Sequence, residues 1–265
     1  MSLQTAADVK SCCAAAYSSP AAAFLLDDSL HPGGAALTRR LADAVELRSG
    51  QRVLDVASGR GTTALLLAKE YAVAVDGVDL SDASVREATA AAQHAGRAAS
   101  VAFHLADAEQ LPFDDGTVDA LVCECSWCLF PDKAQAAAEF ARVLRAGGRV
   151  GIADVTVGPA GVPDGLAELP AWIACLAGAR TTEQYVGLLT AAGLTATRVE
   201  DHRDALAELI GRIQARLKLA RALSKSGAQQ ETHAMERGLV LAARAAQAVS
   251  QGALGYCLIV ARRDR

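Results

Sequence analysis

Cysteine is the residue type whose placement in this chain offers the most distinctive chemistry. Thiolate sulfur is the preferred protein ligand for soft metal ions, and the same preference extends to trivalent arsenic. The seven cysteines are Cys12, Cys13, Cys123, Cys125, Cys128, Cys175 and Cys257. Their odd number and their spacings fit neither a disulfide framework nor a paired Cys-x-x-Cys zinc site. Thiols from three separate segments could meet around one soft ion, or each could be a small buried apolar residue.

The segment 123–128 carries three of these cysteines directly after an apolar run that predicts a β-strand. As long as the strand continues, alternation places Cys123 and Cys125 on one side and Glu124 on the other. We expect Cys128 and Cys257 to be structural, buried residues.

A glycine-rich turn at residues 55–61, with the sequence DVASGRG, forms a second candidate site. Glycines let the backbone turn sharply and approach a ligand, and the helical pattern that follows presents backbone N–H groups. Asp79 follows a second apolar run, where a carboxylate can bind both ribose hydroxyls or can instead cap a helix. The turn lacks the third glycine of the dinucleotide motif and the Lys-Ser/Thr of a phosphate-binding loop. The predicted ligand is therefore a nucleoside without a pyrophosphate.

Acidic side chains also follow a third apolar run, at Asp107 and Glu109 on either side of Ala108. An acidic group there can accept a hydrogen bond from an adenine amino group, or can belong to a solvated turn. The ends of the three runs are expected to converge at the carboxyl edge of one sheet.

The elements that must position these residues alternate between helical and strand patterns from residue 36 onward, which indicates βαβ units and a mostly parallel sheet. The predicted strands are 52–56, 72–78, 101–105, 118–123, 149–154, 195–200 and 252–262. The predicted helices are 36–47, 62–71, 83–95, 132–145, 182–192, 204–223 and 229–249.

Composition restricts the partners. The 265 residues include 26 Lys and Arg against 30 Asp and Glu, giving a net charge of −4, which argues against nucleic acid. Hydrophobic residues make up 52%, enough for a large core. The longest uncharged stretches, 11–26 and 245–261, are too short to span a bilayer comfortably, and no basic region precedes the first. We therefore expect a cytoplasmic protein with neither a membrane nor a nucleic-acid partner.

Five segments resemble the motifs of class I S-adenosylmethionine (SAM)-dependent methyltransferases. They are VLDVASGRG at 53–61, VDGVDLS at 75–81, DAEQLPF at 107–113, VDALVCE at 118–124 and RVLRAGGRVGIAD at 142–154. The resemblance implies an α/β, Rossmann-like, seven-stranded sheet with an antiparallel last strand, and SAM as cofactor. Ala57 stands where the family usually has its first glycine. The candidate cofactor-binding residues are Asp55, Ala57, Ser58, Gly59, Gly61, Asp79, Leu80, Asp107, Ala108, Glu109 and, through its carbonyl, Cys123.

Three further segments resemble arsenite methyltransferases, namely VKSCC at 9–13, residues 123–133, and ACLAGA at 174–179. This resemblance implies that Cys13 (or Cys12), Cys125 and Cys175 hold trivalent arsenic as substrate and act as the catalytic residues. A small-molecule or metalloid substrate and a thiol reductant are the implied partners.

Two departures from that family keep alternatives open. A cysteine that the family often carries is missing at 28–32, and the usual C-terminal extension is replaced by the helical pair at 204–249. One alternative is an O-, N- or S-methyltransferase of another small molecule. For an oxygen acceptor the evident bases are Glu124 and His31, although His31 precedes Pro32 and is more typical of a turn residue. The other alternative is a protein that binds or senses a thiophilic metal on a SAM-binding fold.

The domain organisation follows from these patterns. We expect residues 1–35 to form an N-terminal cap or lid and residues 36–265 to form the methyltransferase domain. The helices at 204–249 are expected to be an insertion that serves as a lid or a dimer surface. The sequence is compatible with a monomer or a homodimer.

Overall fold

Seven β-strands form one mixed sheet in the computed structural model of the protein. The structure describes residues 10, 17, 19, 24–26, 31–164, 166, 173–223 and 229–264. The strands are β1 (Arg52–Val56), β2 (Ala74–Asp79), β3 (Val101–Leu105), β4 (Val118–Glu124), β5 (Leu144–Val157), β6 (Leu194–Asp201) and β7 (Leu254–Arg263). Their order across the sheet is β3-β2-β1-β4-β5-β7-β6.

Helices connect these strands, as the alternating pattern predicts. The helices of eight or more residues are α1 (Gly34–Ala44), α2 (Thr62–Glu70), α3 (Asp82–His94), α4 (Lys133–Val143), α6 (Thr182–Ala191), α7 (Arg203–Leu223) and α8 (Gln229–Ser250). Shorter elements are a 3₁₀ helix (Trp127–Leu129) and α5 (Ile173–Gly178). The predicted boundaries of the long helices are within three residues of these bounds.

The first five strands pair in parallel, and β7 runs antiparallel to both of its neighbours, β5 and β6. This arrangement confirms the predicted Rossmann-like methyltransferase sheet with an antiparallel last strand. The carboxyl ends of β1, β2, β3 and β4 lie at one edge, where ligands bind in open α/β sheets.

Buried apolar side chains separate into two clusters because successive residues of a strand face opposite sides of the sheet. In β1, for example, Val53 belongs to the first cluster and Leu54 to the second. Helices α1, α2 and α8 pack into the first cluster, and α4 and α6 into the second. The sheet is therefore covered on both sides, as the near-continuous apolar strands require.

One strand is much longer than the sequence pattern predicts. β5 begins at Leu144, immediately after α4, rather than at residue 149. Leu144 pairs with Val118, and the register then shifts before Ala120 pairs with Arg149. This irregularity accommodates Gly147 and Gly148, which in the sequence indicate a turn.

The predicted helical insertion is present as α7 and α8, between β6 and β7. Leu206 and Ile210 of α7 and Ala242 and Ala245 of α8 belong to the first core cluster, so the pair packs on the sheet. Its role as a lid or dimer surface and the division of the chain at residue 35 stay predictions. Within the described parts of the chain, no helix is both long and apolar enough for a membrane crossing.

Candidate functional site

The loop from β1 to α2 turns sharply at the carboxyl edge of the sheet. Ala57, Gly59 and Gly61 all have left-handed backbone conformations, with φ of 57°, 52° and 79°. At Gly61 a Cβ atom would lie 2.4 Å from Cζ of Phe103, so both conformation and space require glycine there. Ala57 adopts the conformation that favours the glycine usually found in the resembling family.

Asp79, at the end of β2, holds this loop in place. Its Oδ2 accepts a hydrogen bond from the Gly59 N–H (2.9 Å), and its Oδ1 accepts one from the Ser81 N–H (2.8 Å). Burial raises the pKa of the Asp79 carboxyl, and the hydrogen bonds from backbone N–H groups oppose that shift. The side chain thus bridges the first two strand ends. Leu80 beside it is 41% exposed, an apolar surface beside the crevice.

Two buried polar atoms in this region have no hydrogen-bond partner among the described residues. They are Oδ2 of Asp55, a residue that is only 2% exposed, and Oγ of Ser58. Burial raises the pKa of Asp55 well above its usual value, and the nearby Glu124 and Asp79 raise it further. Because buried polar groups are almost always paired in native proteins, these atoms indicate a polar ligand. The hydroxyl and ammonium groups of SAM fit this requirement.

The loop after β3, the third predicted part of the cofactor site, forms ion pairs with Lys10 that the sequence did not reveal. Lys10 Nζ lies 2.6 Å from Asp107 Oδ2 and 2.5 Å from Glu109 Oε2. Glu109 also accepts a hydrogen bond from the Asp132 N–H (2.8 Å), which ties this loop to the start of α4. Ala108 is buried against the second core cluster. The adenine-contacting roles of Asp107, Ala108 and Glu109 remain predictions.

Cys123 and Cys125 do not lie on the same side of the sheet, and that prediction is wrong. β4 ends at Glu124, and Cys125 has a left-handed backbone with φ of 53°, which breaks the strand alternation. Cys123 is fully buried in the second core cluster, whereas Cys125 packs against the first. Burial raises the pKa of the Cys123 thiol.

Cys125, Cys128 and Cys175 come together, and we refer to them as the thiol cluster. The sulfur of Cys175 accepts hydrogen bonds from the Cys125 and Cys128 thiols, which lower the pKa of Cys175 well below its usual value. Burial opposes this shift, and the charge of Lys133 assists it. The hydroxyl of Tyr17 lies 2.7 Å from the same sulfur. Cys175 is therefore the member of the cluster whose pKa is lowered.

The outcome for the remaining cysteines is mixed. Cys128 is buried as predicted, and its thiol hydrogen-bonds Cys175, so its purely structural role stays a prediction. Burial raises the pKa of Cys257 in β7 to about 12, consistent with a structural thiol. Cys12 and Cys13 lie outside the described residues. Among the residues the structure describes, no three His, Cys, Asp or Glu side chains are arranged as a ready-made metal site.

Backbone contacts hold the loop that carries Cys128. Lys133 Nζ donates to the carbonyl oxygens of Cys128 (2.9 Å) and Phe130 (2.8 Å). A Cβ atom at Gly178 would lie 2.0 Å from the Cys128 carbonyl oxygen, so glycine allows α5 to approach this loop. The Cys128 N–H donates to Oδ2 of Asp154 (2.9 Å), which lies within β5. The sequence marked Gly178 and Lys133 only as parts of motifs, without these contacts.

A second cluster of polar side chains surrounds Glu124. Its carboxylate accepts hydrogen bonds from Oγ1 of Thr38 (3.1 Å) and Oγ1 of Thr63 (2.7 Å), and His31 Nε2 lies 3.6 Å from Oε2. His31 occupies a turn, as predicted, and its Nδ1 lies 3.0 Å from the Pro32 carbonyl oxygen. The two predicted candidate bases are thus in contact.

Comparison with known proteins agrees with this architecture. Residues 53–148 match the family model described as a methyltransferase domain. The chain is 37% identical over 130 residues to a 27-O-demethylrifamycin SV methyltransferase from Amycolatopsis mediterranei, covering 49% of this chain and 47% of that protein. It is 34% identical over 153 residues to an arsenite methyltransferase from Halobacterium salinarum, covering 57% of this chain and 39% of that protein.

Among solved structures, a putative sarcosine dimethylglycine methyltransferase from Galdieria sulphuraria superposes with a TM-score of 0.75 at 18% identity. That match covers 86% of this chain and 85% of the other, and it shows the shared fold. The chain spans about half the length of the curated relatives that it matches first.

Proposed function

We propose that this chain, whose residues 53–148 match a methyltransferase domain, transfers a methyl group from SAM to trivalent arsenic. Cys125 and Cys175 would bind the arsenic as substrate. The observation that carries this proposal is the thiol cluster beside the end of β4, in which the sulfur of Cys175 lies 2.7 Å from the Tyr17 hydroxyl and neighbouring thiols lower the Cys175 pKa. The similarity to an arsenite methyltransferase supports the same acceptor.

The cofactor would lie in the crevice formed by the ends of β1, β2 and β3. SAM supplies a methyl group carried on a positively charged sulfur. Asp79 holds the loop that would approach the methionine part, while the unpartnered oxygens of Asp55 and Ser58 would receive its donors. Both of these unpartnered oxygens are buried from solvent.

The acceptor chemistry follows from thiolate ligation. Each bond between arsenic and a cysteine sulfur replaces an arsenic hydroxyl group, which leaves as water after taking the thiol proton. Cys175, whose pKa is lowered, would make the first such exchange, and where it attacks as a thiolate the departing hydroxyl group would take its proton from Cys125 or Cys128, whose thiols hydrogen-bond the Cys175 sulfur. Ligation would replace these hydrogen bonds and orient the arsenic lone pair, and orientation contributes roughly 7–11 kcal/mol in favourable systems.

Enzyme assays test the proposal directly. Incubation with SAM, arsenite and a small thiol should yield methylated arsenicals. Cys125→Ser and Cys175→Ser should abolish their formation without weakening SAM binding, while Cys257→Ser serves as the matched control with a buried cysteine outside the cluster. Unchanged rates in both cluster variants would contradict the arsenic proposal.

A second candidate is methylation of a small-molecule oxygen, which the contact between His31 and Glu124 favours. An oxygen acceptor needs a base. A buried histidine beside a carboxylate provides one. The similarity to a methyltransferase named for an O-demethylated substrate supports this candidate. If His31→Gln removes activity on a hydroxyl acceptor while Cys175→Ser does not, the oxygen acceptor is correct and arsenic is not.

A further inference from the structure

Glu124 is a buried acidic residue that no lysine or arginine neutralises among the described residues. Its side chain is 4% exposed, and its one ion-pair contact in the described parts of the chain is His31, at 3.6 Å. The other donors to its carboxylate are the neutral hydroxyl groups of Thr38 and Thr63. Burying an acidic group is costly unless a positive charge accompanies it.

The location of Glu124 indicates where such a positive charge would come from. Thr63 is the second residue of α2, directly after the glycine-rich loop, so its 2.7 Å hydrogen bond places the Glu124 carboxylate beside the cofactor crevice. Asp55, on the adjacent strand β1, is also buried and is close enough for the two acidic groups to repel each other. Two buried carboxyl groups at one crevice favour a cationic ligand.

We propose that Glu124 supplies a fixed negative charge that makes the crevice favour the sulfonium of SAM over the neutral thioether of S-adenosylhomocysteine (SAH). This inference rests on the proposed function, because it takes SAM as the cofactor. The two ligands have the same adenosine and amino-acid groups and differ in the methyl group and its positive charge. A residue that interacts with this charge therefore changes the ratio of the SAM and SAH affinities. A residue that only shapes the crevice changes the two affinities by the same factor.

This arrangement also links methyl transfer to product release. When the methyl group leaves, the sulfur becomes neutral and loses its attraction to Glu124. The product is then held by the ribose, adenine and amino-acid contacts alone. Glu124 would thus favour exchange of SAH for a new SAM molecule.

The test measures binding by calorimetry, with SAM, SAH and sinefungin, which carries an amine at the position of the sulfonium. Glu124→Gln keeps the size of the side chain and removes its charge. We expect the ratio of SAM to SAH affinity to fall by about tenfold relative to the unsubstituted protein, which corresponds to about 1.4 kcal/mol. The affinity for sinefungin should fall together with the affinity for SAM. Thr63→Val, which removes a hydrogen bond to Glu124 but keeps its charge, should leave the ratio unchanged.

A second variant keeps the test independent of how well Glu124→Gln folds. His31→Lys places a permanent cation near Glu124 and should also lower the ratio of SAM to SAH affinity. An unchanged ratio in whichever of these two variants folds would overturn the role of Glu124, even if SAM binds normally. Absence of SAM binding to the unsubstituted protein would instead contradict the proposed function itself.

Discussion

The hydroxyl of Tyr17 lies 2.7 Å from the sulfur of Cys175, although 158 positions separate the two residues in the chain. Burial and the nearby thiols raise the pKa of Tyr17 well above its usual value. Its hydroxyl therefore stays protonated and donates a hydrogen bond to the sulfur. The N-terminal part of the chain therefore contributes a hydrogen-bond donor to the thiol cluster.

Replacing Tyr17 should make Cys175 less reactive. In Tyr17→Phe we expect the rate of Cys175 alkylation by iodoacetamide at pH 7 to fall by about tenfold, since a hydrogen bond to a charged group contributes about 1.5–3 kcal/mol. The pH profile of alkylation should shift upward, and mass spectrometry of the modified peptide measures both. Tyr71→Phe, whose hydroxyl contacts Arg39 and Asp43 instead, is the matched control. An unchanged profile in Tyr17→Phe would show that the contact does not lower the pKa of Cys175.

Asp154 should make the stability of the protein depend on pH. Burial raises its pKa to about 6, from an ordinary value of 3.8, so the folded protein binds this proton more tightly than the unfolded chain. The contribution of Asp154 to the free energy of unfolding therefore decreases as pH rises from about 4 to about 6, by about 3 kcal/mol.

Urea unfolding of the unsubstituted protein and of Asp154→Asn at pH 4 and pH 7 measures this effect. Other titrating groups cancel in the difference between the two proteins. As pH increases, the free energy of unfolding of Asp154→Asn should rise relative to that of the unsubstituted protein. A constant difference would contradict the raised pKa.

Asp55 should lower the stability of the ligand-free protein and strengthen cofactor binding. Its pKa is raised by burial and by the neighbouring acidic groups, so its ionised form costs stability at neutral pH. Asp55→Asn should therefore increase the melting temperature of the ligand-free protein by a few degrees, since about 1 kcal/mol corresponds to about 2–4 °C in a chain of this size. The same variant should bind SAM more weakly.

The matched control for that experiment is Asp76→Asn in β2. Asp76 pairs with Arg52 and His104, so its loss should lower the melting temperature. Scanning calorimetry with and without SAM separates the two variants. A lower melting temperature for ligand-free Asp55→Asn would contradict the destabilising effect assigned to the buried Asp55 carboxyl.

Gly61→Ala and Gly50→Ala should separate backbone strain from crowding. Both glycines have left-handed backbones, with φ of 79° and 83°, so each substitution carries a cost of about 1–2 kcal/mol. Only at Gly61 would the added Cβ collide with Phe103, since no heavy atom lies within 4 Å of a Cβ at Gly50. Denaturant titration should show the larger destabilisation in Gly61→Ala, and calorimetry should show lost SAM binding in that variant alone. Equal destabilisation in the two variants would mean that the Phe103 side chain moves aside at little energetic cost.

The mostly parallel sheet and the cofactor crevice could be predicted from the sequence because their signals are local. Apolar runs such as 52–56, glycines at 59 and 61, and an acidic residue after each run mark features that parallel sheets repeat at one edge. Asp79 and the glycine loop are joined as that pattern implies.

The composition of the thiol cluster could not be predicted in the same way. Cys125 turns with a left-handed backbone that usually identifies glycine, so strand alternation gave the wrong side for its thiol. The contacts of Cys175 with Tyr17 and Cys128 depend on chain folding over long separations, which no spacing rule reports. The approach of α5 to the Cys128 carbonyl was visible only as a glycine at 178.

The position of β7 between β5 and β6 has a consequence for the biosynthesis of this protein. β6 reaches the sheet only through β7, which is the last of the described strands to leave the ribosome. Until then, the long edge of β5 has no partner on that side and can pair with strands of other chains. The order of synthesis therefore leaves this edge of the nascent chain open to intermolecular pairing until residues 254–263 have emerged and folded.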